Sequence, residues 1–338
     1  MILRNKFILI FSFSIFVNIL FAQKDISKIS VKGNSFINEK KDTIIFRGYN
    51  TSDPDKLQNQ GYWTKSYFTQ IKNWGANIVR FPVHPSAWKK RGKENYLKLL
   101  DDGIKWATEL NMYVIIDWHS IGNLKTQMYH HNRYDTTLKE TFDFWRTIAV
   151  KYGKNNTVAF YELFNEPTTN NQTMGRISWG EWKEINEEMI VIIRANGGEG
   201  IPLIAGFNWA YDLTSVRENP IDAKEIAYVS HPYPQKREKP WEEKWTEDWG
   251  FVKDKYPLIL TEIGFSHSED EGAHIPVIND DDTYGTAITN YCDEKEISYV
   301  IWVFDAQWAP KLFEDFKTYK PSRHGKFFKK KISSYNYE

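Results

Sequence analysis

The sequence predicts an α/β fold, a (β/α)8 TIM barrel formed by a single domain. Three observations favour this fold. Eight short apolar runs alternate with longer amphipathic stretches, no Pro- or Ser-rich linker interrupts residues 23–338, and most apolar runs turn polar or aromatic where they end. Near-continuous apolar strands separated by helices are typical of a closed parallel barrel with its helices outside.

The first residues predict a secretory signal peptide at residues 1–22. Arg4 and Lys6 form a basic start, residues 7–21 are mostly apolar, and Ala22 precedes the expected cut. An uncleaved membrane anchor is disfavoured because the apolar run is shorter than the roughly 20 residues that span a bilayer. We therefore expect an exported protein, extracellular or periplasmic, that has no membrane contact once the peptide is removed.

The composition excludes several classes of partner, disulfide and metal site, and it is rich in aromatic residues. The 44 basic and 44 acidic side chains cancel, so there is no electrostatic footprint for nucleic acid or an anionic membrane. Cys292 is the only cysteine, which excludes an internal disulfide and a cysteine-based zinc cluster. The 14 Trp and 19 Tyr exceed what a core requires, and such rings often stack against ligands.

The elements follow one another in the order that the barrel requires. A hairpin at residues 29–46 precedes the barrel and is expected to plug its floor. The predicted strands are residues 43–50, 76–83, 112–119, 158–167, 201–207, 226–233, 257–264 and 298–305. The clearest amphipathic helical patterns are residues 96–110, 136–153, 179–196, 241–256 and 281–295.

Most of the predicted strands carry polar or aromatic side chains at their C-terminal ends. These side chains are Asn50, Arg80, His119, Asn165, Glu166, His231, Tyr233, Glu262 and Trp302. In this type of barrel the C-terminal ends of the strands converge on the active site. The topology therefore predicts that these residues meet in space although they are far apart in the chain.

Two glutamates at these ends indicate a reaction class. Glu166 in "FNEP" closes the fourth strand, and Glu262 in "LTEIG" closes the seventh. Two carboxyls that face each other across a cleft suit the hydrolysis of glycosidic bonds, because one protonates the leaving oxygen and the other attacks or stabilises the anomeric carbon. A separation of about 5 Å would allow direct attack, and the anomeric configuration would then be retained.

These residues resemble glycoside hydrolase family 5, the cellulase family, which belongs to a retaining clan with catalytic glutamates on strands four and seven. The resemblance extends from "VKGNSFINEKKDTIIFRGYN" to "IWVFDAQWAP". The family's active-site positions find matches in "IVRFPV", "DWHS", "FNEP", "SHPYP", "TEIG" and "VIWVF". The resemblance implies that Glu166 is the acid/base and Glu262 the nucleophile.

The resemblance also implies roles for six further residues. They are Arg80, His119, Asn165, His231, Tyr233 and Trp302. Asn165 would bond the sugar 2-hydroxyl, whereas Arg80 and Tyr233 would keep the nucleophile ionised and aimed. The two histidines would line the sugar cleft, and the tryptophan would form its floor. Neither a metal nor an organic cofactor is implied.

Other polar and aromatic residues are interpreted as support. Asp117 and Glu162 are expected to be buried partners of Arg80 or a histidine, and His130 and His131 to lie in a solvated loop. Some tryptophans are candidate outer sugar platforms, although packing is the expected role for any single one. These candidates are Trp63, Trp118, Trp209, Trp241 and Trp308.

The sequence therefore predicts a secreted, monomeric retaining β-glycosidase that acts on β-linked polysaccharide, and the cellulase-like motifs favour an endo-β-1,4-glucanase. A β-mannanase or xyloglucanase with the same catalytic residues is the nearest alternative. A barrel that binds carbohydrate without cleaving it is a second, disfavoured by the intact glutamate pair. A metal-dependent hydrolase is a third, but the sequence shows no His-x-His pair on an early strand.

Overall fold

The computed structural model describes residues 26–270 and 272–335. The predicted signal peptide lies outside these residues and stays a prediction. Within the described part of the chain, every helix is too short or too polar to cross a lipid bilayer.

All eight predicted strands are present and close into one parallel barrel, so the predicted fold is confirmed. From first to eighth, the barrel strands are Arg47–Asn50, Ile78–Val83, Tyr113–Trp118, Val158–Glu162, Ile201–Ala205, Ala227–Val229, Leu258–Ile263 and Ser298–Ile301. Each is shorter than predicted, in most cases because residues at its C-terminal end leave the hydrogen-bonded ladder and shape the mouth of the barrel.

Helices surround the barrel. They are Pro54–Asn59, Lys65–Asn73, Pro85–Arg91, Lys93–Glu109, Leu138–Tyr152, Trp179–Ala195, Trp241–Asp248, Thr283–Glu294 and Arg323–Ser333. The helix predicted for residues 241–256 stops at Asp248, and the chain continues as the 3-10 turn Gly250–Asp254. Between the fifth and sixth strands the chain forms only the short turns Phe207–Ala210 and Thr214–Arg217.

Local sequence explains where two of the long helices begin. Thr137 and Ser178 precede Leu138–Tyr152 and Trp179–Ala195, and each accepts a hydrogen bond from the backbone of a glutamate three residues later. The side chain of that glutamate bonds back to the capping residue, which completes a capping box at both helices.

The predicted hairpin lies at the floor of the barrel. Its strands, Ser30–Lys32 and Ser35–Ile37, pair antiparallel. The ring of Phe36 lies 5.7 Å from that of Phe46 and 5.1 Å from that of Phe160, both edge to face. The lower half of the barrel is therefore closed by apolar aromatic packing.

The core has two layers. Inside the barrel, aliphatic side chains from successive strands pack on the aromatic residues of the floor. Outside it, the other faces of the strands pack against the helices, with fully buried Trp74 and Trp145 among the largest side chains. Both layers are apolar, so the polar residues at the strand ends lie together above the inner layer.

Candidate active site

Glu166 is held at the mouth by a small three-stranded sheet. Its strand, Glu166–Pro167, pairs in parallel with Ile121–Asn123, which in turn pairs with Met128–Tyr129. The prediction that Glu166 closes the fourth barrel strand is wrong. That strand ends at Glu162, and the following backbone bends away because it pairs with the loop after the third strand.

Glu262 lies inside the seventh barrel strand and is 3% exposed. Its Oε1 accepts a hydrogen bond from Nη1 of Arg80 (3.0 Å), and its Oε2 accepts one from the hydroxyl of Tyr233 (2.7 Å). Because a separate donor holds each oxygen, the orientation of the carboxylate is fixed.

Arg80 is the centre of a buried polar network beneath the mouth. It lies within the second strand, not at its end as predicted. Its guanidinium donates to both oxygens of Glu162 (2.6 and 2.9 Å) and to Oδ1 of Asn165 (2.7 Å). Oδ2 of Asp117 lies 3.0 Å from Nη2, so both expected supporting carboxylates contact Arg80. Nδ2 of Asn165 is buried and has no hydrogen-bond partner among the described residues.

The two glutamates meet above this network. In the barrel, strands four and seven are separated by strands five and six. One oxygen of each carboxylate and one ring nitrogen of His231 all lie within 4.8 Å of one another. All three side chains are buried. Residues that are distant in sequence thus form one pair of neighbouring carboxyls joined by an imidazole.

The contacts of His231 determine where its hydrogens lie. The hydroxyl of Thr261 donates to Oε1 of Glu162 (2.8 Å), so its oxygen is left to accept from Nε2 of His231 (2.9 Å). Nε2 therefore carries a hydrogen. Nδ1 lies 3.0 Å from Oε1 of Glu166, and a hydrogen bond between these two atoms requires a single proton, carried by one of them. One proton is shared between Glu166 and His231.

Burial and the neighbouring charges place this proton closer to His231 than to Glu166. Burial lowers the pKa of His231, but the charge of Glu262 and the hydrogen bonds with Glu162 and Glu166 raise it to about 9. Burial raises the pKa of Glu166, yet the hydrogen bond with His231 and its charge outweigh burial and lower that pKa overall. Burial and the charge of Glu166 raise the pKa of Glu262 against the opposing cations. The shared proton is therefore kept up to about pH 9, nearer to the imidazole.

His119 and Trp302 form one wall of the site. Their rings are parallel to within 4°, with centroids 5.5 Å apart. Nδ1 of His119 lies 2.6 Å from Oδ2 of Asp117. Burial lowers the pKa of His119 well below its ordinary value, so the ring is neutral. Such a wall offers a flat surface and hydrogen bonds without adding charge.

The site opens into a cleft of about 460 Å³. Among the predicted residues, those that line it are His119, Asn165, Glu166, Tyr233, Glu262 and Trp302. Arg80 and His231 lie behind this surface and are fully buried. The structure therefore brings all the predicted site residues together, some in contact with the cleft and two beneath it.

Other residues that line the cleft were not predicted as site residues. Tyr134 and Lys236 lie in short 3-10 turns and His274 lies in a loop, and no motif marked them. His130 was expected in a solvated loop; it is exposed but also lines the cleft. Burial lowers the pKa of Lys236 to about 8. The only available signal for these residues was their position after strand ends, since loops there surround the mouth.

The tryptophans considered as sugar platforms separate into two groups. Trp63, Trp118 and Trp241 are buried in the core, so they are not platforms. Trp209 lines the cleft, whereas Trp308 stacks on the indole of Trp302, which follows the eighth strand, with centroids 6.0 Å apart.

A metal ion fits this site poorly. Among the described residues, Glu166, His231 and Glu262 come closest to a ligand set. Both oxygens of Glu262 already accept hydrogen bonds, from Arg80 and from Tyr233. Nε2 of His231 is likewise bonded to Thr261. The donor set suits a shared proton better than a cation.

Comparisons with known proteins agree with this architecture. A family model described as cellulase, glycosyl hydrolase family 5, matches residues 37–307, more than half of the chain. The crystal structure of a β-glucanase from Saccharophagus degradans in complex with cellotetraose is 47% identical, with a TM-score of 0.89 over 92% of this chain and 94% of that one. The catalytic domain of endoglucanase Cel5A from Thermobifida fusca is similar in fold, with a TM-score of 0.73 and 19% identity over 91% of this chain and 98% of that one.

Curated relatives are more distant and longer. Endoglucanase A of Butyrivibrio fibrisolvens is 27% identical over 252 residues, which are 72% of this chain and 54% of that protein. Cellulase CelDZ1 of a Thermoanaerobacterium species is 26% identical over 243 residues, which are 68% of this chain and 58% of that protein. The chain thus spans little more than half the length of these relatives.

Proposed function

The chain belongs to glycosyl hydrolase family 5, and we propose that it is a secreted, retaining endo-β-1,4-glucanase that works by double displacement. One observation carries the proposed mechanism. Oxygens of Glu166 and Glu262 lie within 4.8 Å of each other. Inverting enzymes instead hold their carboxyls about 6.5–9.5 Å apart, because a water molecule must fit between the sugar and the base.

In the first step, Glu262 attacks the anomeric carbon and the bond to the leaving oxygen breaks. The hydrogen bonds from Arg80 and Tyr233 keep the nucleophile ionised and aimed. Glu166 passes the leaving oxygen the proton that it shares with His231. The products of this step are a glycosyl ester on Glu262 and a free sugar hydroxyl.

In the second step, water attacks the same anomeric carbon and releases Glu262. Glu166 now accepts a proton from the water, and the pair with His231 is restored. The unpartnered Nδ2 of Asn165 supplies a donor for the sugar 2-hydroxyl, a bond that strengthens as positive charge develops on the ring. Trp302, in the wall that it forms with His119, offers a flat apolar face to that ring.

The choice of glucan rests on similarity. The β-glucanase at 47% identity was crystallised with cellotetraose, a β-1,4-linked glucose chain. Curated relatives carry the name endoglucanase. These names favour β-glucan over the mannan and xyloglucan alternatives, and internal cleavage over release from chain ends.

A substrate panel tests the proposal. Reducing ends released from carboxymethylcellulose, glucomannan and xyloglucan are compared, with Glu262→Ala as the inactive control. We expect the highest rate on the cellulose derivative, with the β-anomer as the first product seen by NMR. An α-anomer as first product would overturn retention, and a wild-type protein inactive on all three would overturn the activity.

Secretion is tested separately. The leader at residues 1–22 predicts that the exported protein begins at Gln23. N-terminal sequencing of protein recovered outside the cytoplasm checks this. Protein that stays in the cytoplasm with its first residues intact would contradict secretion without bearing on the catalytic proposal.

A further inference from the structure

A carboxylate outside the catalytic pair is fully buried in the loop after the eighth barrel strand. It belongs to Asp305. Its Oδ1 accepts hydrogen bonds from the backbone amides of Gln307 (2.5 Å) and Trp308 (3.1 Å). Its Oδ2 accepts one from the hydroxyl of Ser52 and one from Nζ of Lys56 (2.5 Å). A buried carboxylate is costly to desolvate, and these four donors, one of them a cation, offset that cost.

The donors connect two segments that are distant in sequence. Ser52 and Lys56 follow the first barrel strand, whereas Asp305 follows the eighth, and these two strands pair in parallel. Nε2 of Gln60 adds a hydrogen bond to Oε1 of Gln307 (2.9 Å). The ion pair is little screened by salt, because the side chain of Lys56 is only 18% exposed and that of Asp305 is buried. Asp305 thus fixes the two loops to each other at the mouth.

This ion pair holds Trp308 from two sides. Asp305 accepts from its backbone amide, and Nζ of Lys56 lies 4.8 Å from the centroid of its ring. Trp308 does not line the cleft; its indole stacks on that of Trp302, with 19° between the ring planes. The cleft-lining ring of Trp302 is in turn parallel to that of His119. A chain of contacts therefore leads from the ion pair to the wall of the site.

We propose that Asp305, with Lys56 as its counter-ion, is a positioning residue that acts through Trp308 on the orientation of Trp302. This inference rests on the proposed glucanase activity. Apolar contacts between rings are non-directional, whereas hydrogen bonds and ion pairs fix both distance and direction. Precise placement matters here, because a shift of about 1 Å in a group that contacts substrate can lower a rate by about 10²-fold.

Three substitutions remove different parts of this support. Asp305→Ala removes every hydrogen bond that the carboxylate accepts. Asp305→Asn removes the charge but keeps an oxygen that can accept from the amides of residues 307 and 308. Lys56→Met removes the cation over Trp308 and leaves those amide bonds in place. The expected order of impairment is therefore Asp305→Ala, then Lys56→Met, then Asp305→Asn.

The test measures kcat/KM for an aryl β-cellobioside, and the Kd of cellotriose by calorimetry in the inactive Glu262→Ala background. Asp293→Asn is the matched control. Oδ1 of Asp293 lies 2.9 Å from Nη2 of Arg47 at the start of the first strand, in an ion pair that does not line the cleft.

Both measurements should respond to the wall of the site. We expect Asp305→Ala to lower kcat/KM about tenfold and to weaken cellotriose binding about threefold, because Trp302 no longer lies where the sugar ring requires it. Asp305→Asn should recover most of the loss. Asp293→Asn should leave both values at those of the wild type, even if it lowers the melting temperature.

A fall in melting temperature alone, with kcat/KM and Kd unchanged in Asp305→Ala and Lys56→Met, would overturn the inference while the glucanase proposal stands. A wild-type protein inactive on the aryl cellobioside and on carboxymethylcellulose would instead remove the glucanase proposal, and the inference with it. If Asp305→Ala does not fold, Lys56→Met decides the matter. It should lower kcat/KM about threefold, and an unchanged value would overturn the inference.

Discussion

The two ends of the barrel are built from the same eight strands but differ in almost every physical respect. At the floor, Phe36, Phe46 and Phe160 pack edge to face with centroids 5.1–5.7 Å apart. At the mouth, Arg80 lies fully buried and its guanidinium contacts Glu162 and other carboxylates. Folding buries apolar side chains at the floor, whereas it buries charged side chains at the mouth.

The fourth strand shows this difference within one element. Phe160 and Glu162 are two residues apart, so both side chains lie on the same face of the strand. The first packs in the apolar floor cluster, and the second pairs with Arg80. Burial of apolar area stabilises the fold by about 25 cal/mol per Å², whereas buried ion pairs often contribute nothing net. The floor therefore contributes more to stability than the mouth does, and we propose that the buried charges at the mouth serve catalysis.

The sharpest test of this contrast removes Glu262, the proposed nucleophile at the mouth. Glu262→Ala should lower kcat on carboxymethylcellulose by about 10⁴-fold or more, because no group is left to form the glycosyl ester. The folded barrel should persist, as measured by circular dichroism and thermal melting. A variant that unfolds, or one that keeps more than a hundredth of the activity, would contradict the division between the two ends.

Loss of Glu166, the proposed acid/base, should have a smaller and substrate-dependent effect. Glu166→Ala should lower kcat on cellulose derivatives by about 10³-fold, but much less on aryl glycosides whose leaving group needs no proton. Azide should restore turnover by replacing water in the second step. Equal losses on both substrates without azide rescue would contradict separate roles for the two glutamates.

At the floor, the expected change is in stability. Phe160→Ala should lower the free energy of unfolding by about 3–5 kcal/mol, since it leaves a cavity between Phe36 and Phe46. Urea denaturation measures this loss, and Phe160→Leu is the control that keeps most of the volume. The kcat of the folded fraction should stay close to that of the wild type. A large fall in kcat without a fall in stability would argue that the two ends are not independent.

The smallest expected effect is on the pH profile. The proposed mechanism requires an ionised Glu262, and the pKa of this residue is raised. As the pH is lowered, activity should therefore be lost at a higher pH than an ordinary glutamate would give. It should also fall above about pH 9 as the proton shared by Glu166 and His231 is lost. Tyr233→Phe removes a hydrogen bond to the ionised nucleophile, so it should lower kcat/KM about tenfold and shift only the acidic limb upwards. A shift of the basic limb alone would contradict this assignment.

Much of the fold and site was predictable because its signals are local. Each barrel strand is a short apolar run bounded by helix or turn residues, and its length and β-branched or aromatic content separate it from the longer amphipathic helices. The motifs that contain Glu166 and Glu262 are short, and the barrel rule places their ends at one face. The predicted extent of the fourth strand was wrong because the prediction used local signals alone. The apolar run continues past Glu162, but the backbone leaves the barrel through pairing with Ile121–Asn123, a partner that is distant in sequence.

The sequence by itself determined the eight-stranded barrel, its closed apolar floor and the set of side chains available at the mouth, because each depends on hydrophobic pattern and chain order. Only the tertiary structure decided how those side chains share charge. That His231 holds a proton with Glu166 follows from Thr261, whose hydroxyl is oriented by Glu162. The left-handed turn at residues 208–210, which presents Trp209 to the cleft, likewise depends on Lys236 from another loop. Hydrogen-bond direction and strained backbone are set by contacts between distant segments, and no local pattern in the chain records them.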